Sequence, residues 1–485
     1  MRDVVETRAA EAAAGVEESV LIARASWAVA HRVVELAGRA YGLEVLVVAG
    51  TGHNAADAVR AGVHLARRGA GVTACLVTER DGDGHLASAL RDLRAAGGRL
   101  VSLDEAERTD ASYAVGVDGL TGIGFAPRDE ARERPFARAA AVVQTCDLVV
   151  AVDLPSGVVA DTGAAAPWAV HADVTVTFGA LKSGLVVGPG AELAGLVEVA
   201  DIGLPSGEPT SVGVLDAWDV AAALPMPGPT ATKYSRGGVG LIGGGDAYVG
   251  AAVLAAGGAL RAGAGSVRVH APRETIAAVR ARWPEVVGIP LHLDEIASGA
   301  KVDAWVAGPG LGTDDRAHAV LEAVLASDRP AVLDADAITL LAQDADLVRR
   351  RAAPTVLTPH TGEFQRLTGV PAGDAAANPL GAARDAARDL RAIVLLKGMR
   401  TVIAAPDGTA RINPTGTPWL AAAGSGDVLA GAVGSHLAGG VDPLSAAACA
   451  AWLHGLAGRL ASQDAPIVAT DLIELWPEAL RRVRG

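Results

Sequence analysis

Aromatic residues are scarce, at 3% of 485 residues, so Ala, Val and Leu must do most of the packing. Cysteine is scarcer still: Cys75, Cys146 and Cys449 lie far apart, with no CxxC and an odd total. That excludes a disulfide framework and predicts a reduced, cytoplasmic chain. Neither HExxH nor paired-cysteine zinc spacing occurs. No block of Lys or Arg stands out, and 42 basic against 55 acidic residues give a net charge of −13. Neither nucleic acid nor an anionic membrane is expected as a partner. The longest apolar run, Ala247 to Leu260, has 14 residues and stops at Arg261, short of the roughly 18 a membrane-spanning helix requires. The opening MRDVVETRAAEAAAG has acids where a signal peptide needs a basic start and an apolar run.

What the chain has is length, aliphatic residues and glycine. Its 485 residues exceed one ordinary core, at roughly 150 residues per domain. The 59 glycines cluster at strand ends rather than at every third residue, which excludes collagen and points to tight turns around ligands. Apolar runs alternate with helical stretches: Leu43–Gly50, Gly71–Thr78, Tyr113–Val117, Asp147–Leu154 and Asp173–Phe178 read as strands, with a helix around Asp57–Arg68. Continuous apolar strands separated by helices predict a parallel sheet covered on both faces, hence α/β. Between Leu204 and Thr232 prolines 205, 209, 225, 227 and 229 crowd together, and only Val212–Val214 looks like a strand. A boundary near Asp216 therefore divides the chain into domains 1–215 and 216–485. The second half resumes with strands at Val239–Ile242, Ser266–His270, Ala304–Ala307, Ala331–Asp334, Thr355–Thr358 and Ile393–Leu396.

Ligands bind at the carboxyl ends of strands in open α/β sheets, so the turns there hold the chemistry. In the second half, Ala423–Gly431 (AGSGDVLAG) leads into a helical run, Val428–Leu437. Its glycines leave backbone N–H groups facing an anion, and the helix dipole adds positive potential. Asp427 there is either a helix cap or the base that takes a hydroxyl proton beside a phosphoryl group in transfer. Lys397-Gly398-Met399-Arg400-Thr401 follows a strand and offers a cation and a hydroxyl to a nucleotide; a solvated strand-end Lys is the bland alternative. Leu333–Ala337 (LDADA) places Asp334 and Asp336 at a strand end, where turn capping is an equal reading. Thr358–Glu363 (TPHTGE) puts His360 and Glu363 on one loop.

Taken in order, Lys233–Gly245 (KYSRGGVGLIGGG), Trp283–Val286 (WPEV), GPGLG from Gly308, LDADA, TPHTGE, LLKG, Asn413–Gly416 (NPTG) and AGSGDVLAG resemble the ADP-dependent NAD(P)H-hydrate dehydratases. The resemblance runs from about Asp216 to the C-terminus and departs at Thr417, where the family usually has Asn. It implies a ribokinase-like sheet, hydrated nucleotide near Ala251, Gly310, His360 and Asp427, an adenine nucleotide at Lys397–Thr401 and Gly426, and Mg²⁺ with ADP as co-substrate. The glycine–Asp turn alone would equally serve a kinase of a small alcohol.

In the first half, Gly50–Ala58 (GTGHNAADA), Asp118–Gly124 (DGLTGIG) and Asp153–Gly157 (DLPSG) each follow a strand. Separately each reads as turn chemistry. Together, over roughly residues 3–212, they resemble the NAD(P)H-hydrate epimerase domain, which implies a Rossmann-like parallel sheet. The whole chain is then two three-layer α/β/α domains. By this resemblance Asn54, Asp118 and Ser156 hold K⁺. His53, Asn54, Ala55, Ala56 and Asp57, the run Gly122, Ile123, Gly124, Phe125, Ala126, Pro127 and Arg128, and Asp153 contact the hydrated nucleotide, with Asp153 handling the proton. A homo-oligomer acting on small-molecule substrates is implied. The family's loop reads GxGNNGGDG; this chain has His53 for the first Asn and Ala55, Ala56 and Ala58 for glycines, and LIARAS (Leu21–Ser26) for the usual LMERAG. Each added methyl is expected to stand where backbone approaches the dinucleotide, so a slow epimerase is expected, or else a binding or oligomerisation module without catalysis.

Overall fold

The computed structural model describes residues 1–77, 84–109, 111–205, 210–245, 247–299 and 301–485. Thr78 and Pro209, both used above, lie outside them. The chain forms two compact units, Met1–Thr210 and Ser211–Gly485.

In the first unit the strands are β1 (Glu44–Ala49), β2 (Gly71–Leu76), β3 (Arg99–Ser102), β4 (Val115–Gly119), β5 (Leu148–Val152), β6 (Val174–Phe178) and β7 (Leu196–Ala200). They form one seven-stranded sheet in the order β3-β2-β1-β4-β5-β6-β7, with every pairing parallel. Alternation explains the continuous apolar runs. Val45, Val47 and Ala49 enter the core beneath helices Glu18–Ala37 and His53–Ala66, whereas Leu46 and Val48 enter the opposite core with Val142 and Val143 of helix Glu130–Val143. Strand order reverses between β1 and β4, so the loops after them face each other at the switch point.

The second unit contains β8 (Val212–Val214), β9 (Gly238–Ile242), β10 (Ser266–His270), β11 (Val287–Ile289), β12 (Ala304–Ala307), β13 (Ala331–Leu333), β14 (Thr355–Leu357), β15 (Ile393–Leu396), β16 (Thr401–Ala404) and β17 (Ala410–Asn413). Their order is β11-β10-β9-β12-β13-β14-β15-β16-β17-β8, with the switch point between β9 and β12. The sheet is mixed rather than wholly parallel, because β15, β16 and β17 form antiparallel hairpins. β8 pairs in parallel with β17, Val212 opposite Ala410. That pairing draws Val212–Val214 into the second unit and moves the boundary from 215/216 to 210/211. Helices Val249–Ala262 and Ser425–Ala438 pack through Ala252, Ala255, Ala256 and Ala259 against Val428, Ala432 and Val433, which fixes the glycine turn before Ser425 over the strand ends.

All three cysteines are free and buried, and burial pushes each thiol up to about 12. Among the described residues no helix is long and apolar enough to cross a membrane.

Candidate active sites

Helix Ser425–Ala438 in the second unit is preceded by Gly424 at φ +85°, a left-handed turn that favours glycine. Gly424 is the N-cap and no side chain caps the helix, so Asp427, in the first turn, is free of the capping role. Burial, then repulsion from Asp334, raises its carboxyl to about 7; Lys397 opposes the rise, and Asp336 and Glu363 add to it. Lys397 sits at the end of β15 and is 22% exposed, with Nζ 2.9 Å from Asp334 Oδ1 and 3.6 Å from Glu363 Oε2. Burial pulls the ammonium's pKa down, but Asp334, Glu363 and Asp427 outweigh it and leave it raised. Asp334 is therefore no turn cap: it is buried, and Thr358 Oγ1 also donates to its Oδ1 at 2.8 Å. Asp336 instead holds the neighbouring loop, accepting from Gly312 N–H at 2.9 Å.

The remaining residues singled out in this half fall around that pair. Gly426 is beside Lys397, whose Nζ would lie 3.4 Å from a Cβ added there. His360 caps helix Thr361–Thr368: its Nδ1 accepts from Gly362 and Glu363 N–H at 3.0 and 3.2 Å, while its side chain stays 54% exposed. Gly310 and Ala251 face each other beside a cavity of about 240 Å³ lined by Gly243, Tyr248 and Gly310. In the turn Lys397–Thr401, Thr401 Oγ1 closes onto Gly398 O at 3.1 Å and Arg400 donates to Pro414 O at 2.7 Å. Gly398 and the half-exposed Met399 remain on the turn's outer side. The loops after β12, β13, β14 and β15 meet through Gly312–Asp336, Thr358–Asp334 and Lys397–Asp334.

In the first unit, Asp118 at the end of β4 is fully buried. Its carboxylate accepts from Ser156 N–H at 2.8 Å, Ser156 Oγ at 2.6 Å and Leu120 N–H at 3.2 Å. Burial raises it to about 6, and the Ser156 bonds limit the rise. Asn54 Nδ2 donates to Thr121 O at 2.6 Å, and Thr121 N–H donates to Ser156 Oγ at 2.9 Å. Asn54, Asp118 and Ser156 are thereby brought into one oxygen-rich cluster. Asp153, at φ +68°, sits after β5 with Oδ1 2.6 Å from Lys182 Nζ and 2.9 Å from Thr177 Oγ1. Lys182 is 1% exposed and also donates to Phe178 O at 2.9 Å.

A cavity of about 410 Å³ lies beside these groups: Asn54 and Asp153 line it with His53, Asp57, Arg128 and Gly122–Phe125, whereas Asp118, Ser156 and Lys182 do not. Ala126 and Pro127 are exposed and do not line it. Ala55 and Ala56 do not line it either. With Ala58 they are fully buried in the core between helix and sheet. Their methyls therefore point away from the cavity, and the expected obstruction does not arise. Gly119 makes room for one of them: a Cβ there would stand 2.3 Å from the Ala58 Cβ. The sequence reading missed Lys182, whose position after a strand in FGALKSG repeats the pattern that singled out Lys397. It also missed Arg8 and Glu11, which reach the cavity from helix Val4–Ala13 and have no local signal.

Each unit thus places a carboxylate, a lysine and glycine turns at the carboxyl ends of its strands, the arrangement of a two-unit α/β enzyme of nucleotide-like substrates. The bifunctional NAD(P)H-hydrate repair enzyme of Mycobacterium tuberculosis is 44% identical over 450 residues, covering 91% of this chain and 89% of that one. The chain belongs to the family of bifunctional NAD(P)H-hydrate repair enzymes. The Mycobacterium leprae relative is 43% identical, covering 95% of this chain and 94% of its own. The family model for NAD(P)H-hydrate dehydratase matches residues 239–478, and that for the YjeF-related protein N-terminus matches residues 18–184. Among solved structures, the ADP/ATP-dependent NAD(P)H-hydrate dehydratase of Bacillus subtilis, co-crystallised with ATP and Mg²⁺, is 31% identical with a TM-score of 0.52. It aligns with 56% of this chain and 98% of its own.

Proposed function

We propose that the second unit dehydrates the S form of hydrated NADH or NADPH with ADP, and that the first unit interconverts the R and S forms. The observation that carries the dehydratase reading is Asp427, uncapped and raised to about 7 in front of the Lys397–Asp334 pair. A base poised near the working pH is what proton removal from a hydroxyl requires. Asp427 takes the proton of the C6 hydroxyl as that oxygen attacks the β-phosphorus of ADP, releasing AMP. The N–H groups of the turn at Gly424–Gly426 and the Lys397 ammonium stabilise charge on the phosphoryl oxygens. Phosphate then leaves with the C6–O electron pair as the ring nitrogen lone pair forms C=N. Loss of the C5 proton restores NAD(P)H. Gly398 and Met399 of the turn Lys397–Thr401 would take the adenine nucleotide from their outer side, and Gly310, Ala251 and His360 would border the hydrated nucleotide.

Asp334 fits a Mg²⁺ carried by the nucleotide phosphates: Lys397 and Thr358 occupy its Oδ1, its Oδ2 faces Gly426 of the turn, and that cation keeps most of its ligands as phosphate oxygens and water. When bound it would neutralise phosphate charge. The oxygens of Asn54, Asp118 and Ser156 fit K⁺: all are hard donors, and Asn54 spends its amide N–H on Thr121, leaving Oδ1 as acceptor. K⁺ would orient the substrate there, while Asp153, paired with Lys182, handles the proton.

Incubating an R/S hydrate mixture with the full-length protein and either ADP or ATP, and following the return of reduced-dinucleotide absorbance, tests both readings. Complete recovery with ADP, faster than spontaneous epimerisation allows, is expected. A stable phosphorylated product would overturn the dehydratase in favour of a kinase, and a stall once the S form is spent would overturn the epimerase.

A further inference from the structure

Asp57 has no part in the chemistry above, yet its surroundings are unusual. It lies in the helix that follows β1, is 8% exposed, and its Oδ1 makes no hydrogen bond. It lines both the 410 Å³ cavity and an adjoining one of about 390 Å³, and Asp153 lines the same two. An unpartnered buried carboxylate is costly, whereas a neutral carboxylic acid in the same place is tolerated. Burial, then the charges of Asp153, Glu11 and Glu18, hold the Asp57 carboxyl well above its usual range, with Arg60 on its own helix opposing. The other charged groups lining the two cavities are Arg8 from helix Val4–Ala13, His53 at the start of Asp57's helix, Lys182 after β6, and Arg128, Arg132 and Glu133 on the larger cavity alone. Lys182 is committed to Asp153, and His53 Nε2 lies 3.1 Å from Glu18. The two aspartates thus differ: one is ion-paired, the other bare.

We propose that Asp57 is the proton donor of the epimerase, working across the cavity from Asp153. The proposal rests on the epimerase reading and adds its second catalytic group. In the R-to-S direction Asp57 gives its proton to the C6 hydroxyl oxygen. The C6–O bond breaks, water leaves with the electron pair, and the ring nitrogen lone pair forms C=N. Water then adds to the opposite face of C6, the C=N pair returns to nitrogen, and the incoming water's proton passes to Asp153. The proton count is unchanged; one proton has moved from Asp57 to Asp153, and the reverse reaction or solvent exchange resets the pair. Environments that separate two carboxyls in this way assign acid and base roles.

The test uses full-length protein, purified R-hydrate of NADPH and no ADP, with epimers separated by chromatography in H₂¹⁸O and corrected for the enzyme-free rate. Each epimerisation by the wild type should place solvent oxygen in the C6 hydroxyl. Its kcat/KM should fall at alkaline pH as Asp57 loses its proton. Asp57→Asn should lower kcat at least 100-fold with KM within about threefold, keep its melting temperature, and lack the alkaline limb. A variant within threefold of wild-type kcat, or epimerisation without oxygen exchange, would overturn Asp57 as donor while leaving the epimerase standing. If Asp57→Asn does not fold, the wild-type oxygen exchange and alkaline limb decide. A wild type that leaves the R-hydrate untouched would overturn the epimerase reading itself, and Asp57 with it.

Discussion

Replacing Asp427 by Asn separates function from stability, because the same burial that makes it a base penalises its charge. Folding raises this carboxyl to about 7, against about 4 in an unfolded chain, and that difference corresponds to about 4 kcal/mol. The sign follows from proton binding. The folded state holds the extra proton between about pH 4 and 7, so stability falls across that window as pH rises and levels off above it. Asn carries no charge to bury. Asp427→Asn should therefore unfold later than wild type at pH 8, by up to about 4 kcal/mol, with most of the gain gone at pH 5. In a unit of this size that is a rise of several degrees in melting temperature. Dehydration should meanwhile fall by about 10²–10⁴ in kcat, with ADP still bound by the turn's N–H groups. Calorimetry at the two pH values and recovery of absorbance with S-hydrate and ADP give both readouts. Near-normal turnover would refute the base, and a variant less stable at pH 8 would refute the burial argument.

Most of the architecture was legible because β1, β4, β5, β9 and β12 are covered on both faces and therefore read as unbroken apolar runs. Strands β3, β7 and β11 escaped because each is at or near a sheet edge, short, and partly polar, as in RLVS. The β16–β17 hairpin had a signal that went unused: Asp407-Gly408, with Gly408 at φ +88° and Asp407 accepting from Thr409 N–H, is a turn sequence between two apolar runs. The second site was readable because its residues are local to strand ends. The first was readable only in part. Lys182 and Asp153 are 29 residues apart, and Glu11 arrives from a different helix, so no spacing rule connects them. The alanines at 55, 56 and 58 show the other limit. A motif gives residue type, not direction, and here the methyls face the core rather than the cavity.

The rate of dehydration, as kcat/KM with S-hydrate, should rise with pH through about 7 as Asp427 ionises; a profile flat from pH 5 to 9 would refute that assignment. Lys182→Met should cost about 3–5 kcal/mol by stranding the buried Asp153 carboxylate. Lys182→Met with Asp153→Asn should recover stability but not epimerisation, as denaturant melts and chiral chromatography will show. The last prediction concerns the alanine loop. Gly119 lies on β4 opposite helix His53–Ala66, and a methyl added there would stand 2.3 Å from the Ala58 Cβ. Both backbones belong to buried elements, so neither can retreat cheaply. Gly119→Ala should then destabilise the first unit by about 1–3 kcal/mol. Removing the opposing methyl with Ala58→Gly in the same chain should return most of that, less about 1 kcal/mol for glycine inside a helix. A double-mutant cycle in urea measures the coupling. Additive losses would mean that the two methyls do not meet, and that the alanines are not held in the core as described; the expected obstruction of the cavity would then stand again.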